Sequence, residues 1–281
     1  MAFFLQQILK DTAQEIAAAK KVLSLADLKR MVGDAPPVRS FRSALGKGFG
    51  IIAEVKRRSP SAGDMPKKNF DQAPAAYAKS PIVRAVSVLT NSTHFGMGIK
   101  ELQRIRELVP QPVLRKDFLI KAYQIYEARA FGADAVLLMA NVLDRDEMER
   151  LFGLARELGM DVLFEAHTKA EIESIPEGAG IYGINSRKFK AAKQSFVAKM
   201  VNGRDLSVEL ETFSLIQHVP KKSIKIAESG LKPDGIREVA RMGYDAVLVG
   251  TSLLKASEGV ENMLRQFEDA IHSSIAAPAD A

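Results

Sequence analysis

A chain of 281 residues, 47% apolar and 26% charged, has the composition of a globular protein and the length of one large barrel or two ordinary domains. Its net charge of +6 is scattered among acids with no aromatic-and-basic platform, which argues against a nucleic-acid surface and for a local phosphate or carboxylate site. The absence of cysteine excludes disulfides, thiol nucleophiles and cysteine metal sites. No apolar run is long enough to cross a bilayer, so no membrane partner is expected. The start, Met1-Ala-Phe-Phe-Leu5, lacks a basic region and a small-residue cleavage site, and the expected compartment is the cytoplasm.

In chain order, Phe4, Leu5, Ile8, Leu9 and Ile16 fall on one helical stripe and predict a helix over residues 3–20. A shorter helix is expected from Leu23 to Met31, ended by Gly33 to Pro37. Residues 1–48 thus form a helical extension ahead of the first strand. From residue 50 one unit repeats: a short apolar run, a polar stop, then an amphipathic segment. The runs are Gly50–Val55, Ala85–Leu89, Val113–Lys116, Ala135–Met139, Asp161–Glu165, Ile181–Ile184, Ile224–Ala227 and Ala246–Gly250. Strands alternating with helices imply parallel strands and right-handed crossovers. Eight such units predict a single (β/α)8 TIM barrel over residues 1–281. No Gly-x-Gly-x-x-Gly turn supports an open doubly wound sheet.

Gly132-Ala-Asp-Ala-Val-Leu-Leu138 recurs as Gly243-Tyr-Asp-Ala-Val-Leu-Val249. The copies fall at the fourth and eighth strands, as two related half-barrels would require. The competing account is a common helix-to-strand turn, in which glycine ends the helix and aspartate holds the turn. The connection over residues 186–206 is unusually long and basic, and is expected to be a flap over the barrel mouth. The tail from Ser273 to Ala281 is expected to fray.

Active sites in this fold lie at the C-terminal ends of the strands. Glu54 and Lys56 stand two apart at the end of the first strand and share a face. Alone they could be a simple ion pair. Five other strands, however, also end in polar groups: Arg115-Lys116-Asp117, Glu165, Asn185 followed by Arg187, Glu228-Ser229-Gly230, and Gly250-Thr251-Ser252. Convergence from so many strands points to a site. Ser229-Gly230 and Gly250-Thr251 offer uncovered backbone N–H groups, with a short helix from Ser252, as a phosphate cradle. Lys56 and Lys116 can face one cavity, where an amine among other cations would give up a proton near neutrality, with Glu165 opposite as a base. His94, His167, His218 and His272 show no ligand spacing, so no metal is expected. His167 follows strand five, where two roles are open to it: a contact with the site or, the preferred reading, a cap on the next helix.

These residues sit in motifs that resemble the indole-3-glycerol-phosphate synthase family of tryptophan biosynthesis. The motifs are Ile52-Ala-Glu-Val-Lys-Arg-Arg-Ser-Pro-Ser61, Val113-Leu-Arg-Lys-Asp-Phe118 and Tyr123-Gln-Ile-Tyr-Glu-Ala-Arg-Ala-Phe-Gly-Ala-Asp-Ala-Val-Leu-Leu138. Further along the chain come Gly183-Ile-Asn-Ser-Arg187, Ala227-Glu-Ser-Gly230 and Val249-Gly-Thr-Ser-Leu253. The resemblance implies a carboxy-lyase that closes a ring on 1-(2-carboxyphenylamino)-1-deoxyribulose 5-phosphate, releases carbon dioxide and water, and needs no cofactor. It implies that Lys116 is the general acid at the substrate carbonyl. Lys56 would hold the substrate carboxylate and share in proton transfer, and Glu165 would act in the dehydration. Glu54, Asn185, Glu228 and Ser229 would hold substrate and catalytic groups. Arg187, Phe95 and Phe118 would line the substrate site, and Ser59, Gly230, Gly250 and Thr251 would receive the phosphate. The division of proton transfers between Lys56 and Lys116 stays open, as does the choice between a monomer and association with other tryptophan-pathway enzymes.

Three departures stand out. The second loop, Leu89-Thr-Asn-Ser-Thr-His-Phe-Gly-Met-Gly98, lacks the family's acidic residue after Leu-Thr and its Phe-x-Gly-Ser. After strand six, Asn185-Ser-Arg187 runs into Lys188-Phe189, while a second copy, Asn202-Gly-Arg-Asp-Leu206, ends the long loop; Arg187 and Arg204 compete for the family arginine. Thr251 replaces a common serine and keeps the hydroxyl. A phosphate-binding barrel with different chemistry and a non-enzymatic anion- or RNA-binding protein are the alternatives.

Overall fold

The computed structural model describes residues 2–186 and 210–276. The long basic loop, including Arg187, Arg204 and most of the expected flap, lies outside the described residues, as does the end of the tail. The barrel strands are β1 (Gly50–Val55), β2 (Val83–Leu89), β3 (Val113–Lys116) and β4 (Ala135–Met139). They continue with β5 (Asp161–Ala166), β6 (Ile181–Asn185), β7 (Ile224–Glu228) and β8 (Ala246–Val249). All pair in parallel with their sequence neighbours, and β1 pairs with β8, for example Gly50 with Ala246 and Ala53 with Val249, which closes the barrel.

Side chains alternate across each strand. One buried cluster contains the inner-facing Ile52, Ala85, Leu114, Leu137, Leu163, Ile181, Ile226 and Leu248. A second contains the outer-facing Ile51, Ala53, Val113, Val136, Val162, Phe164, Ile184 and Val247, packed under the helices. The inner cluster fills the barrel, so the next inner positions toward the C-terminal ends face its mouth.

The N-terminal segment reaches both the floor of the barrel and the loop after β2. Helix α1 spans Ala2–Val22, α2 spans Leu25–Asp34 and α3 spans Phe41–Leu45. Gly33 lies inside α2 instead of ending it; the stop comes at Ala35, whose extended backbone precedes two prolines. Phe41 and Leu45 join the inner cluster, and the Arg42 backbone N–H donates to Asp161 at the start of β5, so α3 plugs the floor of the barrel. Helix α1 instead lies on the loop after β2. Asp11 meets His94 at 3.0 Å, Asn91 donates to Thr12, and Glu15 accepts from Ser92 and Thr93.

The repeated motif does the same work twice. Gly132 and Gly243 take left-handed φ values of 89° and 91°. Asp134 and Asp245 then accept, each at 2.8 Å, a backbone N–H at the start of the neighbouring strand, that of Val113, the first residue of β3, and that of Lys225, the second of β7. The aspartates lock adjacent strands in register.

Candidate active site

The inner row of the barrel ends in charge. Two residues beyond Ile52, Leu114, Leu163 and Ile226 stand Glu54, Lys116, Glu165 and Glu228, and Asn185 is two beyond Gly183 on β6. Period-two alternation therefore carries five polar side chains into one mouth. Asn185 and Glu228 are the last residues of their strands and pair directly in register. Ser186, to which the sequence assigns no role, ties this corner: its N–H donates to the Glu228 carbonyl and its hydroxyl contacts the carbonyls of Glu228 and Ser229.

Two ion-pair groups result. Lys56 Nζ donates to Glu54 Oε1 at 2.5 Å, and both side chains are buried. Lys116 Nζ donates to Glu165 Oε2 at 3.1 Å and lies 3.6 Å from Glu228 Oε2. Lys116 is not ringed by cations, as its sequence context suggested, because the inner positions of β5 and β7 aim carboxylates at it. Burial opposes its charge, but Glu165, Glu228 and Glu54 outweigh burial and hold the amine above the usual lysine range.

The two glutamates diverge. Burial and the neighbouring Glu165 charge hold the Glu228 carboxyl well above the usual range. For Glu165, burial is outweighed by Lys116 and then His167, and its pKa is lowered. Two carboxyls this close cannot both ionise cheaply, so their pKa values are driven apart beside Lys116, that of Glu165 downward and that of Glu228 upward.

Two glycines make the room. A Cβ on Gly183 would collide with the Glu228 carboxyl, and one on Gly250 would collide with that of Glu54. Gly250 thus serves the Glu54–Lys56 pair as well as the turn after β8. The phosphate-cradle candidates lie beside it. Ser229 and Gly230 have φ of 76° and 68°, consecutive left-handed residues, and Ser229 is the sole non-glycine residue so strained among those described. The helix after β8 runs Thr251–Leu254, one residue earlier than expected, with Gly250 as its N-cap. Ser59 is buried, and its hydroxyl lies 3.1 Å from that of Ser61.

The aromatic candidates lie on one side. Phe118 belongs to the inner cluster and Phe95 packs against it, together with Leu5, Ile8 and Leu9 of α1. The Phe95 carbonyl accepts from the Arg57 N–H, which links the loops after β1 and β2. Arg115 does not enter the mouth: its guanidinium is buried on Thr90, Asp117, Glu127 and the Gln124 carbonyl. Thr168, not His167, caps the helix Lys169–Ser174 through its side chain, and the His167 ring lies 3.7 Å from Glu165. Among the described residues, no group of three or more His, Cys, Asp and Glu side chains is placed to hold a metal ion, and no helix is long and apolar enough to cross a membrane.

A closed parallel barrel whose mouth gathers lysines, carboxyls and an amide at its strand ends is of the (β/α)8 enzyme class. A family model described as indole-3-glycerol phosphate synthase matches residues 5–267. The chain belongs to the indole-3-glycerol phosphate synthase family. An indole-3-glycerol phosphate synthase from Nocardioides sp. is 39% identical over 261 residues, covering 89% of this chain and 93% of the relative. One from Mycolicibacterium smegmatis is 35% identical over 282 residues, covering 99% and 98%. Among solved structures, 3-hexulose-6-phosphate synthase from Salmonella typhimurium matches with a TM-score of 0.58 at 16% identity, covering 80% of this chain and 99% of that one. A thiamine phosphate pyrophosphorylase from Pyrococcus furiosus matches at 0.56 and 14%, covering 84% and 100%. These two likenesses concern the fold alone.

Proposed function

We propose that this mouth closes the indole ring of 1-(2-carboxyphenylamino)-1-deoxyribulose 5-phosphate, forming indole-3-glycerol phosphate with loss of carbon dioxide and water. The activity is that of a carboxy-lyase of tryptophan biosynthesis. The observation that carries the residue roles is Lys116 held between Glu165 and Glu228 at the inner ends of three strands. A fully protonated Lys116 donates to the substrate carbonyl oxygen as the ring carbon bearing the carboxylate attacks the carbonyl carbon. Its raised pKa keeps it loaded at the cost of a smaller driving force. Carbon dioxide leaves from the attacking ring carbon, its bonding pair restoring the aromatic ring, and the new hydroxyl departs as water on a proton from Lys56 while the adjacent CH2 carbon loses a proton. Glu165, ionised beside Lys116, takes up a proton in that dehydration. Lys56, oriented by Glu54, holds the substrate carboxylate, and Asn185 offers a donor and an acceptor without charge. The turns at Ser229-Gly230 and Gly250-Thr251, with Ser59, take the phosphate. The substrate is a small phosphorylated molecule, and the enzyme works in the cytoplasm.

The test is fluorescence detection of the indole product from purified protein and the carboxyphenylamino substrate, with no metal or cofactor added. Product is expected from the wild type, and Lys116→Ala should lose at least about a hundredfold in kcat, the size of a general-acid contribution. A folded wild type that yields no product sinks the proposal.

A further inference from the structure

We propose that His167 is a positioning residue for Glu165, setting its charged ring against the carboxylate oxygen that Lys116 does not hold and thereby setting the upper pH limit of turnover. This role for His167 rests on the proton-accepting role proposed for Glu165. β5 runs through Glu165 to Ala166, and His167 comes directly after it, two residues beyond Glu165. The ring is turned back toward the barrel: Nε2 lies 3.7 Å from Glu165 Oε1, while Lys116 holds Oε2 at 3.1 Å. On its far side Nδ1 lies 3.4 Å from Glu171 Oε2. The same Glu171 oxygen accepts the His167 backbone N–H at 2.7 Å, so the first turn of the Lys169–Ser174 helix fixes both ring and backbone.

An imidazole between two carboxylates is favoured in its charged form. The charged groups facing it, among the described residues, are Glu165 on its own strand, Glu171 on the following helix and Lys116 from β3. Burial and Lys116 oppose the proton, but Glu171 and Glu165 prevail and the His167 pKa is raised. The charged ring in turn lowers the pKa of Glu165 after Lys116 has done so. A charged His167 thus sets a second cation against Glu165, on the oxygen opposite the one that Lys116 holds. As pH rises through the raised imidazole value, the ring loses its proton, Oε1 loses its partner charge, and turnover steps down before Lys116 deprotonates. Glu171 acts at one remove, since it holds the proton on His167 without facing the mouth.

The test is the pH dependence of kcat and KM for the wild type, His167→Gln and Glu171→Gln, with imidazole ring protons followed by NMR. His167→Gln removes one of the four histidine signals, which assigns it. That variant should turn over about tenfold more slowly near neutrality, as misplacement of one group predicts, with KM changed less than about twofold and no alkaline step. Glu171→Gln keeps the acceptor for the backbone N–H, and should shift both the NMR titration of His167 and the alkaline step of kcat to lower pH. A wild type that turns over while both variants keep its profile shape overturns the proposal, as does a His167 titration unmoved in Glu171→Gln. If His167→Gln fails to fold, Glu171→Gln decides alone. If the wild type gives no product, the reading of the activity fails, and the NMR titration still decides whether the ring carries its charge.

Discussion

Gly183 pairs in register with Glu165 and with Ile226, and the space where its Cβ would stand is occupied by the Glu228 carboxyl. A residue without a side chain thus lets two carboxyls from β5 and β7 meet over β6, and their meeting raises the pKa of Glu228. Gly183→Ala should separate packing from chemistry. The collision is with the movable end of Glu228, and alanine in place of strand glycine recovers up to about 1 kcal/mol of backbone entropy, so stability should change little. Displacing Glu228 from Lys116 should still lower kcat by about a hundredfold. Unchanged kcat in a variant of normal melting temperature would show that Glu228 has no part in the mouth. The raised pKa of Glu228 has its own signature. Its folded pKa is raised, so between the ordinary carboxylate pKa and the folded value the folded chain holds a proton that the unfolded chain has lost. Stability therefore falls as pH rises through that window. Glu165, with its lowered pKa, has the opposite sign and loses its contribution on acidification. Glu228→Gln keeps a donor and cannot titrate, so its melting temperature should decline less than that of the wild type from weakly acidic to alkaline buffer. Parallel melting curves would place the proton elsewhere.

At the scale of elements, the strands were legible because period-two alternation and polar stops are local signals. Their ends were less so: Asn185 and Glu228 are polar and look like loop residues just past a strand, yet both are its last inner-facing residues. The five residues of α3 are too few for a helical stripe to show, and its burial comes from the barrel floor it fills. The place of α1 was hidden for another reason. Its partners Asn91 to His94 are about eighty residues away, and the hydrogen bonds joining them are made by polar residues with no pattern of their own. That clasp holds the loop carrying Phe95 over the mouth. Glu15→Ala removes an acceptor shared by the Ser92 and Thr93 hydroxyls and the Thr93 N–H. Each of these exposed bonds is worth about 1 kcal/mol or less, so the melting temperature should fall by only a few degrees. The freed loop should raise KM several-fold while kcat at saturation holds. A fall in melting temperature with KM unmoved would make the clasp a scaffold contact alone.

For the whole molecule, the site was legible to the extent that the fold is: once eight strands close, every strand end shares one rim. What could not be read was which rim groups touch. Lys116 meeting Glu165 and Glu228 depends on inter-strand register and on Gly183, and neither is written in any one segment. The same distinction applies to closure itself. The first and last βα units meet through β1 and β8, and outside them through Asn69, on the Lys67–Lys79 helix. Its buried side-chain amide donates to the Leu254 and Ala256 carbonyls at 3.0 and 2.8 Å, at the end of the short helix after β8. Asn69→Ala leaves both carbonyls without that donor, a cost of about 1–3 kcal/mol. At roughly 2–4 °C per kcal/mol for a chain of this size, the melting temperature should drop measurably. Asn69 does not belong to the mouth, so kcat well below the melting transition should match the wild type. A large loss of kcat with unchanged KM and stability would instead show that closure of the first and eighth units is transmitted to Glu54 through Gly250.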